Sequence, residues 1–214
     1  MSEEPLILSD WYELVRGETL EQGDIFDACP VFRPPSDLPC PIDQNYESLE
    51  FTGTLLDVVV MSQSCDIAPC QKSDMWLVLF CPVWELSAAA KVNPFLASGF
   101  GKEECRRGHL PGYHMIDGCQ DGKLKRGVSI VSFREVWSLP LNFVRQMAAK
   151  GGPRLRMRPP YREHLAQAFA RYFMRVGLPA DIEPFKSETA EKEIMKKLGA
   201  LDEETRKRVL AAFS

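Results

Sequence analysis

The stretch Thr52-Gly53-Thr54-Leu55-Leu56-Asp57-Val58-Val59-Val60-Met61 decides the fold. It is a β-branched apolar run of strand length, and such a run is most simply explained as a buried strand. It stops in a polar turn, Ser62-Gln63-Ser64-Cys65-Asp66, and a second apolar run follows, Met75-Trp76-Leu77-Val78-Leu79-Phe80-Cys81-Pro82-Val83. Two buried strands joined by a polar connection are expected to be neighbours in one sheet, with Pro82 marking where ladder bonding lapses.

Upstream, Gln22-Gly23-Asp24-Ile25-Phe26 reads as a turn feeding another strand. Residues 29 to 46 carry Pro30, Pro34, Pro35, Pro39 and Pro41, and prolyl nitrogens cannot donate to a ladder, so an irregular excursion is expected there. A short helix is expected before the turn, with Ser9 or Asp10 as N-cap, Trp11, Leu14 and Val15 at helical spacing, and Gly17 as its stop.

Downstream, Ser87 to Gly122 is punctuated by glycines and reads as a short helix, loops and weak strands. Residues 127 to 137 hold a partly alternating strand, and Leu139-Pro140 opens a helix near 140 to 149. Lys150-Gly151-Gly152-Pro153 is the sharpest break, which predicts a division into residues 1–150 and a helical extension, 151–214. In that extension a helix follows Pro159-Pro160 and runs to about Val176, with Leu165, Phe169, Tyr172 and Phe173 on one face and Gly177 beyond it. Two further helices are expected, one starting at Ser187 and one capped by Asp202.

The 214 residues, 45% of them apolar, suffice for a core. Met1-Ser2-Glu3-Glu4-Pro5 does not read as a secretory signal and no apolar run reaches membrane length, so a cytoplasmic protein is expected. Seven cysteines, an odd number, fit reduced thiols better than a disulfide framework. The net charge of −4 hides an asymmetry: residues 1 to 70 hold fourteen Asp/Glu against Arg16 and Arg33, a net of −12. Residues 145 to 176 carry eight Lys/Arg against Glu163 alone. Either the acidic front docks on the basic back, or one of them meets a charged partner.

Gly23-Asp24-Ile25, Val58-Val59-Val60-Met61-Ser62-Gln63 and Leu77-Val78-Leu79-Phe80-Cys81-Pro82-Val83 together resemble the SH3-like barrel of the PemK/MazF toxins, over residues 20 to 84. With Ser64-Cys65-Asp66, Pro160-Tyr161-Arg162-Glu163-His164 and Phe173 to Pro179, the pattern also looks like a set of bacterial proteins that recur beside phage-defence or mobile genes. The resemblance implies an α+β fold, a small β-barrel with a helical C-terminal extension. It also implies an arginine just before the apolar strand for RNA cleavage, because a guanidinium offers paired donors to the charge developing on phosphate. Here Thr54-Leu55-Leu56-Asp57 precede the valines, and an acid stands where that cation is wanted.

The expected role is therefore a non-catalytic protein-interaction or adaptor module, possessing no cofactor, whose partner is a regulatory component of a defence or stress system. Its partner-binding face is Arg162, His164, Gln167, Arg171 and Arg175, flanking the apolar stripe of the helix. One alternative is a PemK/MazF-like ribonuclease with relocated catalytic residues, or a thiol enzyme, drawing on Ser62, Ser64, Cys65 and Asp66. The other is a nucleic-acid-binding regulator working through residues 145 to 176. Cys29, Cys40, Cys65 and Cys70 could supply zinc, though without the tight Cys-x2-Cys spacing; Cys105, His109, His114 and Cys119 form a looser second set.

Overall fold

A computed structural model describes residues 6–37, 50–68, 76–120 and 124–174. Its two apolar runs form β4 (Thr52–Val60) and β5 (Leu77–Glu85), paired antiparallel through Val58↔Pro82, Val59↔Cys81 and Val60↔Phe80. Pro82 sits where β5 changes partner. Before it, Leu77 to Phe80 pair with β8 (Trp137–Pro140); after it, Val83 to Glu85 pair with β7 (Ser129–Ser132). The missing N–H is tolerated at this crossing from one ladder to the next.

The valine run is buried on both sides because it lies mid-sheet with a helix over each face. On one face Leu56, Val58 and Val60 meet Phe26, Phe80 and the apolar side of α4 (Leu141–Lys150), including Val144 and Ala148. On the other, Val59 and Met61 join Ile25, Cys81, Leu155 and Leu165, the last from α5 (Tyr161–Phe173). Both helices lie where the sequence places them, α4 opening directly after Pro140 and α5 after Pro160.

The fold is α+β; among the described residues it has nine strands, every pairing antiparallel. The path begins with β1 (Leu6–Ile7), β2 (Tyr12–Val15), β9 (Arg154–Met157) and β3 (Asp24–Arg33). It continues through β4, β5, β7 and β6 (Tyr113–Ile116), with β8 branching from β5. Its ends, β1 and β6, do not pair among the described residues, so the sheet is open rather than a closed barrel. Short helices α1 (Ser64–Ile67), α2 (Leu86–Val92) and α3 (Gly99–Arg106) complete the described part, α2 and α3 packing over Ile130 with Cys105 and Leu96.

Two expectations are corrected. The helix expected after Ser9 is strand β2. Ser9 Oγ does accept from the amides of Trp11 and Tyr12, as a cap would, but β9 offers Tyr12 to Val15 a complete ladder. The irregular stretch expected from residue 29 begins later, because β3 runs through Pro30 to Arg33 against β4. Among the described residues β9 flanks β3 only at Asp24 and Ile25, so the far edge of β3 at Pro30 requires no donor. Lys150 to Pro153 is a turn within a unit spanning Met1–Arg175, and the chain re-enters the sheet as β9 immediately after it. The second unit, Val176–Ser214, and with it the two terminal helices, lies outside the described residues.

β9 reads Arg-Leu-Arg-Met, and all four residues are buried. Leu155 and Met157 face the α5 side, while the two arginines converge on Asp24, which is 0% exposed. Arg154 Nε donates to Asp24 Oδ2 at 2.9 Å, and Arg156 donates through Nε to Oδ1 and through Nη2 to Oδ2 at 3.0 Å. The carbonyls of Gly17 and Thr19 take further guanidinium protons. Glu21 accepts from Arg156 at 2.6 Å and from Arg162 at 3.0 Å. Burial works against the charge on Arg156, yet its bonds to Asp24 and the nearby Glu21 and Glu13 outweigh this and hold its pKa above the ordinary value.

Removing one partner strands a buried charge, which costs about 3–5 kcal/mol. Asp24→Asn should therefore lower the unfolding free energy measured in urea by that amount, with a lower midpoint, whereas Asp37→Asn, at an exposed position, should change it by less than about 0.5 kcal/mol. Equal midpoints in the two variants would contradict the network's role.

Candidate functional site

The Ser62–Asp66 turn binds backbone. Ser62 Oγ accepts from the Leu79 amide at 2.9 Å, and Ser64 Oγ from the Gln22 amide at 3.0 Å, while Gln22 Nε2 donates to the Met61 carbonyl at 2.9 Å. These bonds fasten the end of β4 to β5 and to the approach of β3. The Cys65 thiol is exposed, with the side chains of Gln63 and Asp66 as its partners. Neither histidine considered as a base meets it: His109 Nδ1 lies 3.0 Å from Glu104, and His114 stacks over Phe133 with ring centroids 6.3 Å apart.

The valine strand does receive an arginine, from a distant part of the chain. Arg126 Nη2 bridges Asp27 at 2.7 Å and Asp57 at 3.0 Å. Asp57 in turn accepts from the Ala28 amide at 3.0 Å, holding a bulge in β3 where Ala28 adopts φ 51°. Arg126 is thus committed to two carboxylates at the bulge. Burial first, then the neighbouring Asp57, pushes the Asp27 pKa up, with Arg126 pulling against them.

Among the described residues the metal sets are not assembled. Cys29 lies in the α4-side core, Cys65 is exposed, and Cys40 and Cys70 fall outside the described residues. Cys105 and Cys119 sit in different apolar clusters. Among the described residues no group of three or more His, Cys, Asp or Glu is arranged to hold a metal.

The face expected on α5 divides. Arg162 turns inward to Glu21 and Glu163, Gln167 is exposed, and Arg175 lies outside the described residues. His164 and Arg171, however, line a hollow of about 520 Å³ at the β6 edge of the sheet. Its opposite wall is Arg106 and Arg107, at the end of α3, and its floor includes His114 and Met115 of β6. Strand alternation puts Tyr113 and Met115 towards α3 and Ile116 into the α5-side core, so the edge strand serves both walls.

No carboxylate lines this hollow among the described residues. The nearest neutralising group is Glu103, which bonds Arg106 and Arg107 at 2.7 Å and whose carboxyl those guanidinium groups hold down to about 2. With Arg171, three guanidinium groups stand against one carboxylate. Burial first, then the positive fields of His164 and Arg171, lowers the His114 pKa to about 4, so its ring is neutral at pH 7 and offers one donor and one acceptor. The sequence reading found His164 and Arg171. It missed Arg106, Arg107 and His114 as their companions, because only the packing of α3 beside the sheet brings them there. No family model, curated protein or solved structure matches the chain. No helix among the described residues is long and apolar enough to cross a membrane.

Two measurements check these environments. Burial pushes the thiols of Cys29 and Cys81 up to about 12 and Cys105 up to about 11, so brief alkylation followed by peptide mapping should modify Cys65 and spare these three. Modification of Cys81 at the rate of Cys65 would contradict the burial. An NMR titration should find His114 neutral at pH 5.5. Its folded pKa lies below the unfolded value, so the unfolded state binds more protons between about pH 6.5 and 4, and stability falls as pH drops through that window by on the order of 1–3 kcal/mol. Protonation near pH 6.5 would contradict this environment.

Proposed function

We propose that the chain is a non-catalytic binding module that holds an anionic partner in the hollow between α3, β6 and α5. The observation that carries this is the convergence of Arg106, Arg107 and Arg171 with two histidines around one cavity that no carboxylate lines among the described residues. Elsewhere in the described unit arginines meet acids inside the fold, as Arg154, Arg156 and Arg126 do. At the hollow the positive charge is left in excess and faces outward.

The absence of chemistry at the Ser62–Asp66 turn is supported by both hydroxyls accepting backbone amides and by a thiol with no histidine bonded to it. The central strands β3, β4 and β5, curled by the Ala28 bulge, are the part to which a PemK/MazF-like ancestry applies. An adaptor role in a bacterial defence or stress system, in the cytoplasm, follows from the resemblance over that part. A second reading has its own observation: two histidines beside three guanidinium groups are the parts needed for acid–base cleavage of a phosphodiester, so a ribonuclease would work here rather than at the serine turn.

Titrating the full chain with inorganic tripolyphosphate should show binding that weakens steeply between 50 and 300 mM salt, and Arg107→Ala/Arg171→Ala should lose at least tenfold in affinity. A flat salt response, or an unchanged double variant, would contradict the proposal. Incubation with mixed RNA should leave it intact; cleavage lost in His164→Ala would replace the binding reading with the nuclease one.

A further inference from the structure

Resting on that reading, we infer that the anion is the phosphate of a nucleoside phosphate, whose base occupies the apolar half of the same hollow. The half-open hollow has a volume of about 520 Å³, within the ~300–1,000 Å³ of small-molecule sites. Its lining also combines two chemistries. Guanidinium groups come from both walls, Arg106 and Arg107 on one and Arg171 on the other, and Met115, Ala168 and Met174 supply apolar surface beside them.

A bare inorganic anion would use only the guanidinium groups and leave that apolar surface wet. An acidic peptide would bring several carboxylates, each needing its own cation, to a place where Glu103 already takes up part of the charge of Arg106 and Arg107. A nucleoside phosphate satisfies both chemistries at once. Its dianionic end accepts paired guanidinium donors, which match phosphate oxygens in geometry as well as charge. Its flat base buries on methionine and alanine, and the neutral His114 ring can donate to and accept from a sugar hydroxyl or base edge without contributing a second charge. Tyr113, lining the hollow under the Arg134 guanidinium at 5.1 Å, adds a fixed aromatic ring at the same wall.

The sheet explains why the hollow forms here. β6 is the last strand of the path and its outward edge carries no further strand among the described residues, so α3 and α5 reach past it from the two faces and leave a gap between their ends. Arg106 and Arg107 come from the end of α3, and Arg171 from the last turn of α5. Phosphate held there would bridge the end of α3 and the last turn of α5.

The experiment is calorimetric titration of the full chain with the 5′-diphosphates of adenosine, guanosine, cytidine and uridine, with inorganic pyrophosphate and hexaglutamate as controls. At least one nucleoside diphosphate should bind tenfold or more tighter than pyrophosphate. Ala168→Leu, which fills the apolar half, should remove that advantage while leaving pyrophosphate affinity within threefold. Arg171→Ala should weaken both ligands. Should Ala168→Leu unfold the chain, photolabelling with an azido-adenine nucleotide replaces it, and the label should map to Tyr113–Ile116 or to α5. Pyrophosphate or hexaglutamate binding as tightly as every nucleotide would overturn the nucleoside assignment and leave the anion reading standing. Failure of all anions to bind would remove both, and labelling elsewhere in the chain would overturn the assignment of this hollow.

Discussion

A single carboxylate, Asp24 at the start of β3, is shared by two guanidinium groups from β9, and the whole described unit is arranged around that bond. Arginines at alternate positions of a buried strand are unfavourable unless each finds an anion and enough acceptors. Asp24, Glu21 and the carbonyls of Gly17 and Thr19 supply these, so β9 can enter the sheet between β2 and β3. The acidic front of the sequence and the basic back are thereby joined inside the fold. With β9 seated, α4 is left on one face of the sheet and α5 on the other.

The same arrangement sets up the site. Once β9 fixes where α5 begins, Arg162 is drawn to Glu21 beneath, while His164 and Arg171 extend along the helix towards β6 and α3. One end of the helix is therefore neutralised within the fold, and the other contributes to a hollow where guanidinium groups outnumber carboxylates among the described residues. A charge surplus that contributes nothing to the core is the kind of feature a ligand explains, because isolated surface cations add little to stability.

Much of the architecture was legible in the sequence. Val58-Val59-Val60 announced a buried strand, Pro82 marked an interruption of the ladder, and both α4 and α5 followed their prolines. What failed were segments whose local pattern was overruled by a distant partner. Ser9 forms its cap-like bonds, but Tyr12 to Val15 extend because β9 lies alongside. Arg154-Leu155-Arg156-Met157 has strand alternation, yet its charged half looks solvent-facing until Asp24 is known to lie opposite. Of the site, His164 and Arg171 could be read from the basic face of a helix. Arg106, Arg107 and His114 could not be joined to them, since their proximity arises from tertiary packing around the edge strand.

Native-state hydrogen exchange at β9 tests the account most directly. The Met157 amide donates to the Gly23 carbonyl at 3.0 Å, in the strand that Asp24 holds in place. If β9 is an integral part of the core, the amides of Leu155 and Met157 will exchange only by global unfolding, at the same free energy as those of Val59 and Cys81 in the central strands. Exchange of β9 at a distinctly lower free energy, while β4 and β5 stay protected, would show that the Asp24 bond does not hold the fold together.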